Sequence, residues 1–144
     1  MVSTIGALEL LGQRAPRGKS PERAARELVR KGLPARVVDR LAEAFGASTE
    51  EILGLLGLSR ATGYRQKARG ASGLRAVHSD RAFRLARVMA LAQNVLEDDE
   101  NAREWFREPN RALHGERPIE LLDTEAGTDQ VVRVLNQLEH GVYS

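Results

Sequence analysis

A short polar stretch that follows Ser59 carries side chains suited to recognising DNA. Arginine, threonine and glutamine pair with guanine, adenine or phosphate oxygens, and four such residues lie close together, namely Arg60, Thr62, Arg65 and Gln66. Cations that suit the phosphate backbone come directly after them, namely Lys67, Arg69 and Arg75. These residue types indicate nucleic-acid binding, provided that the backbone presents them on an exposed face.

A helix-turn-helix would present them in that way. In this motif a first helix and a turn support a second helix, whose N-terminal residues meet the base edges in the major groove. Gly57 is suited to the turn, Leu58 to plugging it into the core, and Ser59 to capping a second helix that runs to about Arg69. Ser59 is also predicted to be one of the DNA-binding residues. On that helix we expect three residues to face inward, namely Ala61, Tyr64 and Ala68.

The first helix of the motif is predicted to begin at a capping box. Ser48 and Glu51 have the spacing at which each side chain bonds to the backbone N–H of the other residue. Leu53 lies four positions before the turn glycine, where a small residue usually permits tight helix packing, and it departs from the pattern. The motif by itself therefore leaves an alternative open, a helical hairpin with a solvated basic face.

Charge is segregated along the chain. Residues 1–55 carry nine Lys or Arg against seven Asp or Glu, a net +2, whereas residues 56–90 carry eight against one, a net +7. Residues 91–144 carry five against twelve, a net −7. A polyanion would be attracted to the middle of the chain and repelled by its end, which suits a basic partner instead.

Every periodic stretch has the helical period, so the sequence predicts an all-α fold. Residues 1–19 are expected to form an arm that is disordered or packs on a partner subunit, because Pro16 and Gly18 lie in a polar, linker-like stretch. Ser20 and Pro21 predict the start of a helix. A long helix is expected from the Ser79-Asp80 pair to about Leu96. The domains are predicted at 20–90 and 91–144.

Composition and motifs argue against several other classes. There is no cysteine, and His78, His114 and His140 are widely separated, so we predict no metal site. The acidic run Glu97 to Glu100 is interpreted as helix capping. No phosphate loop, nucleophile elbow or HExxH motif is present, so we predict no enzyme activity. Without a signal sequence or a long apolar run, the expected location is the cytoplasm, with no membrane partner.

At the C-terminal end the chain resembles a known family. AREWFREPNRALHGERPIELLDTEAG, with VVRVLNQLEHGVYS after it, looks like the C-terminal domain of the Xre/MbcA/ParS antitoxins. The preceding LGLSRATGYRQKARGASGLRAVHSDRAFRLARVMALA resembles the Xre-like helix-turn-helix of the same family, so that the match covers about 30–144. Its most specific pieces are the spacing from Trp105 to Thr124 and the EHGVY ending.

The resemblance implies a function. Proteins of this kind are paired with RES-domain toxins that consume NAD or transfer its ADP-ribose, and the antitoxin C-terminal domain covers the toxin's active-site entrance without needing a cofactor. An acidic domain is suited to a basic dinucleotide pocket. The family also dimerises and binds its own promoter DNA. By this resemblance we expect the toxin-binding residues to be Asn110, Arg111, Leu113, Gly115, Pro118, Glu139, His140, Gly141, Val142, Tyr143 and Ser144.

Several residues of this C-terminal region also suit a purely structural role. Trp105 is expected in the core, and Asn110, Gly115 and Pro118 also suit a compact connection between helices. The tip Val142-Tyr143-Ser144 could insert into a partner or fray into solvent. The hypothesis is an antitoxin that neutralises a RES toxin and represses its own operon as a homodimer. The alternative is a stand-alone transcription regulator whose acidic half serves oligomerisation or an effector. A third candidate, a nucleic-acid enzyme, lacks a catalytic cluster.

Overall fold

The chain folds entirely into helices over the residues that the structure, a computed structural model, describes, 4–68 and 73–141. This confirms the all-α prediction. The α-helices in these ranges are α1 (Thr4–Leu10), α2 (Pro21–Lys31), α3 (Val37–Phe45), α4 (Thr49–Leu55), α5 (Arg60–Ala68), α6 (Ala76–Leu96), α7 (Asp99–Arg107) and α8 (Glu125–Glu139). Two 3-10 helices, Arg111–Leu113 and Pro118–Asp123, connect α7 to α8.

Side-chain caps set several helix starts, as the sequence indicated. Ser20 accepts a hydrogen bond from the Arg23 N–H at the start of α2, and Ser48 accepts one from the Glu51 N–H at the start of α4. The second half of the predicted capping box is replaced, because the Glu51 carboxylate lies 3.4 Å from Arg107 Nη2 of α7. The acidic residue therefore links α4 to the C-terminal part of the chain.

Helix α6 runs through the middle of the fold and contacts α1, α2, α3, α7 and α8. Its buried residues recur at helical spacing and are mostly alanine, leucine, valine and methionine, namely Ser79, Ala82, Leu85, Ala86, Val88, Met89, Leu91 and Ala92. Such a broad apolar surface allows neighbours to pack on more than one side. The helix also crosses the domain boundary expected at residue 90.

The predicted start of this helix at Ser79 is wrong, since α6 begins at Ala76. Ser79 is fully buried, and its hydroxyl accepts the Leu33 N–H at 2.8 Å and donates to the Leu74 carbonyl at 3.4 Å. A buried N–H without a partner would cost free energy, so Ser79 acts as a bridge between the α2 end and the segment before α6. Sequence spacing alone does not distinguish this role from an N-cap.

The N-terminal arm also departs from expectation. Residues 4–10 form α1, whose Ala7 and Leu8 are buried together with Leu11. Arg40 of α3 donates from Nε to the Leu10 carbonyl at 3.0 Å and so satisfies the end of this helix. A helix of seven residues is unstable alone, and its packing on α6 supplies the stability that local sequence could not indicate.

The two halves of the chain meet through aromatic residues. The Phe106 ring lies 4.9 Å from the Phe45 ring of α3 and 5.1 Å from the Trp105 ring, both in edge-to-face geometry. Phe106 is fully buried, whereas Trp105 is only partly buried against the same core. Trp105 was expected in the core, but Phe106 occupies the centre of this aromatic cluster and Trp105 packs at the edge of the cluster.

Replacing Phe106 with Ala should lower the free energy of unfolding by about 3–5 kcal/mol, because it leaves a cavity between α3 and α7. Urea unfolding followed by circular dichroism measures the loss, and a single shared transition is expected because both halves use this core. Ile5→Ala, at an exposed position of α1, serves as the control and should change stability by roughly 0.5 kcal/mol or less. A smaller loss for Phe106→Ala than for the control would contradict the packing argument.

Candidate nucleic-acid interface and partner-binding surface

The turn between α4 and α5 is held in place by an arginine from α6. Gly57 has φ +78°, a left-handed conformation that favours glycine. Arg81 donates from Nη1 to the Leu56 carbonyl at 3.2 Å, and a Cβ on Gly57 would lie 2.1 Å from that nitrogen. Leu58 is buried, which confirms its predicted role as a plug. The Arg81 side chain therefore stabilises the turn.

Close packing of α5 on α4 is achieved by a glycine on the second helix. A Cβ on Gly63 would lie 2.6 Å from Leu53 Cδ2 and 2.7 Å from Leu53 Cδ1, with Leu53 itself buried. The small residue that the motif usually has at the Leu53 position is therefore supplied by the partner helix. The departure noted in the sequence leaves the helix pair intact, because only the sum of the two side-chain volumes has to be small.

This packing sets the face of α5 and overturns part of the sequence prediction. Gly63 and Gln66 face inward, with Gln66 only 4% exposed, so Gln66 is not available to read bases. Tyr64 was expected inward and is 43% exposed, and Ala61 and Ala68 are also exposed. The prediction followed the apolar side chains of α5, whereas the contact surface is set by the glycine that allows close approach.

The first turn of α5 is organised by hydroxyl groups. Ser59 Oγ accepts the Thr62 N–H at 3.1 Å, which confirms the predicted cap, and it donates to Thr62 Oγ1 at 2.8 Å. Arg65 donates from Nη2 to the same Thr62 oxygen at 3.1 Å. Thr62 therefore supports the Arg65 guanidinium, and Arg65 remains an exposed cation on the outer face.

A second exposed cluster includes a residue that sequence reasoning missed. Glu50 of α4 accepts the Tyr64 hydroxyl at 3.1 Å, and its Oε1 lies 3.6 Å from Arg60 Nε. The Arg60 guanidinium carbon lies 5.8 Å from the centre of the Tyr64 ring. No sequence signal marked Glu50, because its contact with α5 depends on how the two helices cross.

Of the three residues predicted to contact phosphate, only Arg75 has a described side chain. Arg75 is exposed at the start of α6. Lys67 lies on α5, but its side chain and all of Arg69 are outside the described residues. His78 is partly buried in the first turn of α6. Burial, with the charges of Arg81 and Arg75, lowers the pKa of His78, so its ring adds no charge to this face at neutral pH.

At the acidic end, several residues predicted to bind toxin are structural. Leu113 and Pro118 are buried, so both pack in the interior, and little of either side chain is available for surface contact. Asn110 accepts the Ala112 N–H at 2.9 Å and caps the first 3-10 helix, and Gly115 has φ +84°, as the compact connection requires. Their spacing reflects a tight turn between helices. Arg111 is exposed and remains a candidate for contact.

A groove lies between that turn and α8. Its lining combines small apolar side chains with polar and charged groups, namely Ala112, Leu113, His114, Glu116, Ala126, Asp129, Gln130, Arg133, Val134 and Gln137. The end of α8 carries the predicted residues Glu139, His140 and Gly141 on the surface. The predicted tip, Val142 to Ser144, lies outside the described residues. The exposed part of α8 thus forms one continuous candidate surface with its C-terminal end.

Other chemistry has little support in the described ranges. Asp98 accepts the Asn101 N–H at 3.2 Å at the start of α7, which confirms that the acidic run caps a helix. Within 4–68 and 73–141, no three His, Asp or Glu side chains are grouped as a metal site. The helices of those ranges also lack the length and apolarity needed to cross a bilayer.

Both parts of the chain match described families. Residues 24–87 match the antitoxin Xre-like helix-turn-helix domain, and residues 91–141 match the antitoxin Xre/MbcA/ParS C-terminal toxin-binding domain. A relative from Photorhabdus laumondii named Antitoxin Xre is 30% identical over 118 residues, which cover 81% of this chain and 79% of the relative. The chain belongs to the Xre/MbcA/ParS antitoxin family. The resemblance based on the Trp105 to Thr124 spacing is therefore confirmed.

Further comparisons agree with this family assignment. A Sphingobium relative named Prs ADP-ribosylating antitoxin is 29% identical over 126 residues, covering 81% of this antitoxin chain and 79% of the relative. A chain in the crystal structure of the M. tuberculosis MbcT-MbcA toxin-antitoxin complex has a similar fold, with a TM-score of 0.57 and 24% identity. That match covers 76% of this chain and 96% of the other.

The close packing of Gly63 on Leu53 predicts that mutations at these two positions have non-additive effects on the free energy of unfolding. Gly63→Ala should destabilise the protein by about 1–3 kcal/mol through overpacking, and Leu53→Ala by about 2–5 kcal/mol through a cavity. The double variant should lose clearly less than the sum, because the new methyl group occupies the space that the leucine leaves. Urea unfolding of the four proteins measures the coupling, and strictly additive losses would refute the size exchange.

Proposed function

We propose that this family member neutralises a RES-domain toxin that consumes NAD, and that it represses its own promoter as a dimer. The observation that carries the proposal is that one chain matches both a helix-turn-helix and a toxin-binding domain of the same antitoxin family. The name of the Sphingobium relative joins ADP-ribosylating chemistry to an antitoxin, which favours a toxin that acts on NAD. The opposite charges of the two parts favour two different partners.

Promoter binding is supported by the exposed side chains of α5. Arg65 lies on the outer face and is supported by Thr62, and Arg60 and Arg75 lie on exposed neighbouring turns. We propose that Arg65 and Arg60 contact base edges and that Arg75 contacts phosphate, with Lys67 and Arg69 as further phosphate contacts. Gln66 is withdrawn from this set because it is buried. In a dimer, two such helices would meet half-sites about 34 Å apart or a multiple of that distance.

Toxin binding is supported by the surface at the acidic end. The groove along α8 presents Asp129 and Glu116, together with Arg133, beside small apolar side chains, and residues 91–144 have a net charge of −7. Such a surface suits a cationic partner, because complementary charge speeds association and fixes orientation. We propose that the groove and Arg111 hold the body of the toxin, while Glu139 to Ser144 reach its active-site entrance.

Arg65→Ala should weaken operator binding by roughly 5- to 150-fold, the equivalent of about 1–3 kcal/mol for a lost bidentate base contact. The change should leave toxin neutralisation intact, because the two surfaces lie on different elements. Fluorescence anisotropy with operator and scrambled duplexes measures binding, and growth on toxin co-expression measures neutralisation. Equal affinity of the wild type for both duplexes would exclude base recognition.

Asp129→Lys should weaken binding to a RES-domain protein encoded by a neighbouring reading frame, by an order of magnitude or roughly so, through like-charge repulsion. The matched control is Glu104→Lys, the same charge change at an exposed position of α7. Deleting Val142 to Ser144 should leave binding largely intact and reduce inhibition of NAD cleavage. Calorimetry with an inactive toxin and an NAD-cleavage assay separate these effects. If wild-type protein fails to rescue growth from that toxin, the proposed neutralisation is wrong.

A further inference from the structure

The acidic side chain of Glu50 lies against the helix α5, which belongs to the basic part of the chain. Residues 56–90 have a net charge of +7, and the crossing of α4 and α5 brings Glu50 against the first turns of α5. Glu50 precedes that stretch in the sequence, so the contact is visible only in the folded protein. The negative charge of Glu50 repels DNA phosphates, so its position next to α5 needs an explanation other than affinity for DNA.

The geometry ties Glu50 to two exposed residues of α5. Its Oε1 accepts the Tyr64 hydroxyl at 3.1 Å and lies 3.6 Å from Arg60 Nε. The Arg60 guanidinium carbon also lies 5.8 Å from the Tyr64 ring centre, within the range of a cation–π contact. The Arg60 guanidinium therefore lies beside both a carboxylate and an aromatic ring.

Glu50 remains ionised at neutral pH and keeps these contacts. The Glu50 backbone N–H, the Tyr64 hydroxyl and the charge of Arg60 lower the pKa of Glu50 below its usual value. The arginine is 72% exposed at its side chain and the glutamate 47% exposed. Ion pairs this open to solvent add little to stability, so fold stability is a poor explanation for the cluster.

Positioning of Arg60 explains the cluster better. A free arginine side chain samples many rotamers, and ordering it on DNA has an entropic cost. A carboxylate that holds the guanidinium in advance lowers that cost, and arginine in a fixed orientation discriminates guanine through its O6 and N7 atoms. The same negative charge weakens phosphate contacts for every sequence. Because that weakening is equal for all sequences, only the positioning of Arg60 favours the correct site over random DNA.

We propose that Glu50 is a specificity-determining positioning residue of the DNA site, which holds Arg60, with the help of Tyr64, in the orientation that recognises one guanine. The proposal rests on the promoter binding proposed above. It assigns Glu50 no contact with DNA and makes its effect on base preference depend entirely on Arg60.

Three variants test the proposal, with Glu104→Gln as the charge-matched control on α7. Glu50→Gln should raise affinity for random DNA several-fold and lower the operator-to-random ratio on the order of tenfold, the lower part of the range for one base contact. Tyr64→Phe removes only the hydroxyl and should lower the ratio less, with random affinity unchanged. Arg60→Ala should abolish preference at a single base position in a binding-site selection.

The double variant Glu50→Gln/Arg60→Ala decides between positioning and simple charge. If Glu50 acts through Arg60, the double variant should have the same base preference as Arg60→Ala alone. Additive losses of preference, or equal gains in affinity for operator and random DNA with Glu50→Gln, would overturn the proposal. The wild-type ratio is measured first, and a wild type without any preference would refute promoter recognition and this inference together. A preserved ratio in both Glu50→Gln and Tyr64→Phe would refute only the inference.

Discussion

The burial of α6 is the constraint on which the rest of the structure depends. This helix contacts α1, α2, α3, α7 and α8, so the helix-turn-helix and the acidic C-terminal part are built on one hydrophobic core. Two side chains of α6 also bond to neighbouring segments. Arg81 donates a hydrogen bond to the turn of the motif, and Ser79 accepts one from Leu33, just after α2. The two domain matches, 24–87 and 91–141, meet inside this helix, so both domains contribute residues to one contiguous core.

That shared core places two surfaces of opposite charge on one small molecule. The exposed face of α5 and the start of α6 carry Arg60, Arg65 and Arg75, whereas the groove beside α8 carries Glu116 and Asp129. Arg107 and Glu51 form a direct link between α7 and α4.

The sequence was a good guide wherever local chemistry decided the outcome. Ser20, Ser48, Ser59 and Asp98 cap the helices that they were expected to cap, because an N-cap bond joins residues two or three positions apart and needs no tertiary contact. Helical periodicity likewise predicted the all-α fold. The family was recognisable from the spacing between Trp105 and Thr124, since turn residues and buried leucines are constrained together in a compact connection.

The sequence by itself determined the all-α class, the caps at Ser20, Ser48, Ser59 and Asp98, the separation of charge and the family. Only the tertiary structure decided which way the side chains of α5 face, because Gly63 packs on Leu53 and turns Gln66 inward and Tyr64 outward. It also decided that Leu113 and Pro118 are buried, that residues 4–10 form a packed helix, and that Glu50 lies beside Arg60. The physical reason is the same in each case: these outcomes depend on contacts between segments distant in sequence, and local propensity carries no information about such contacts.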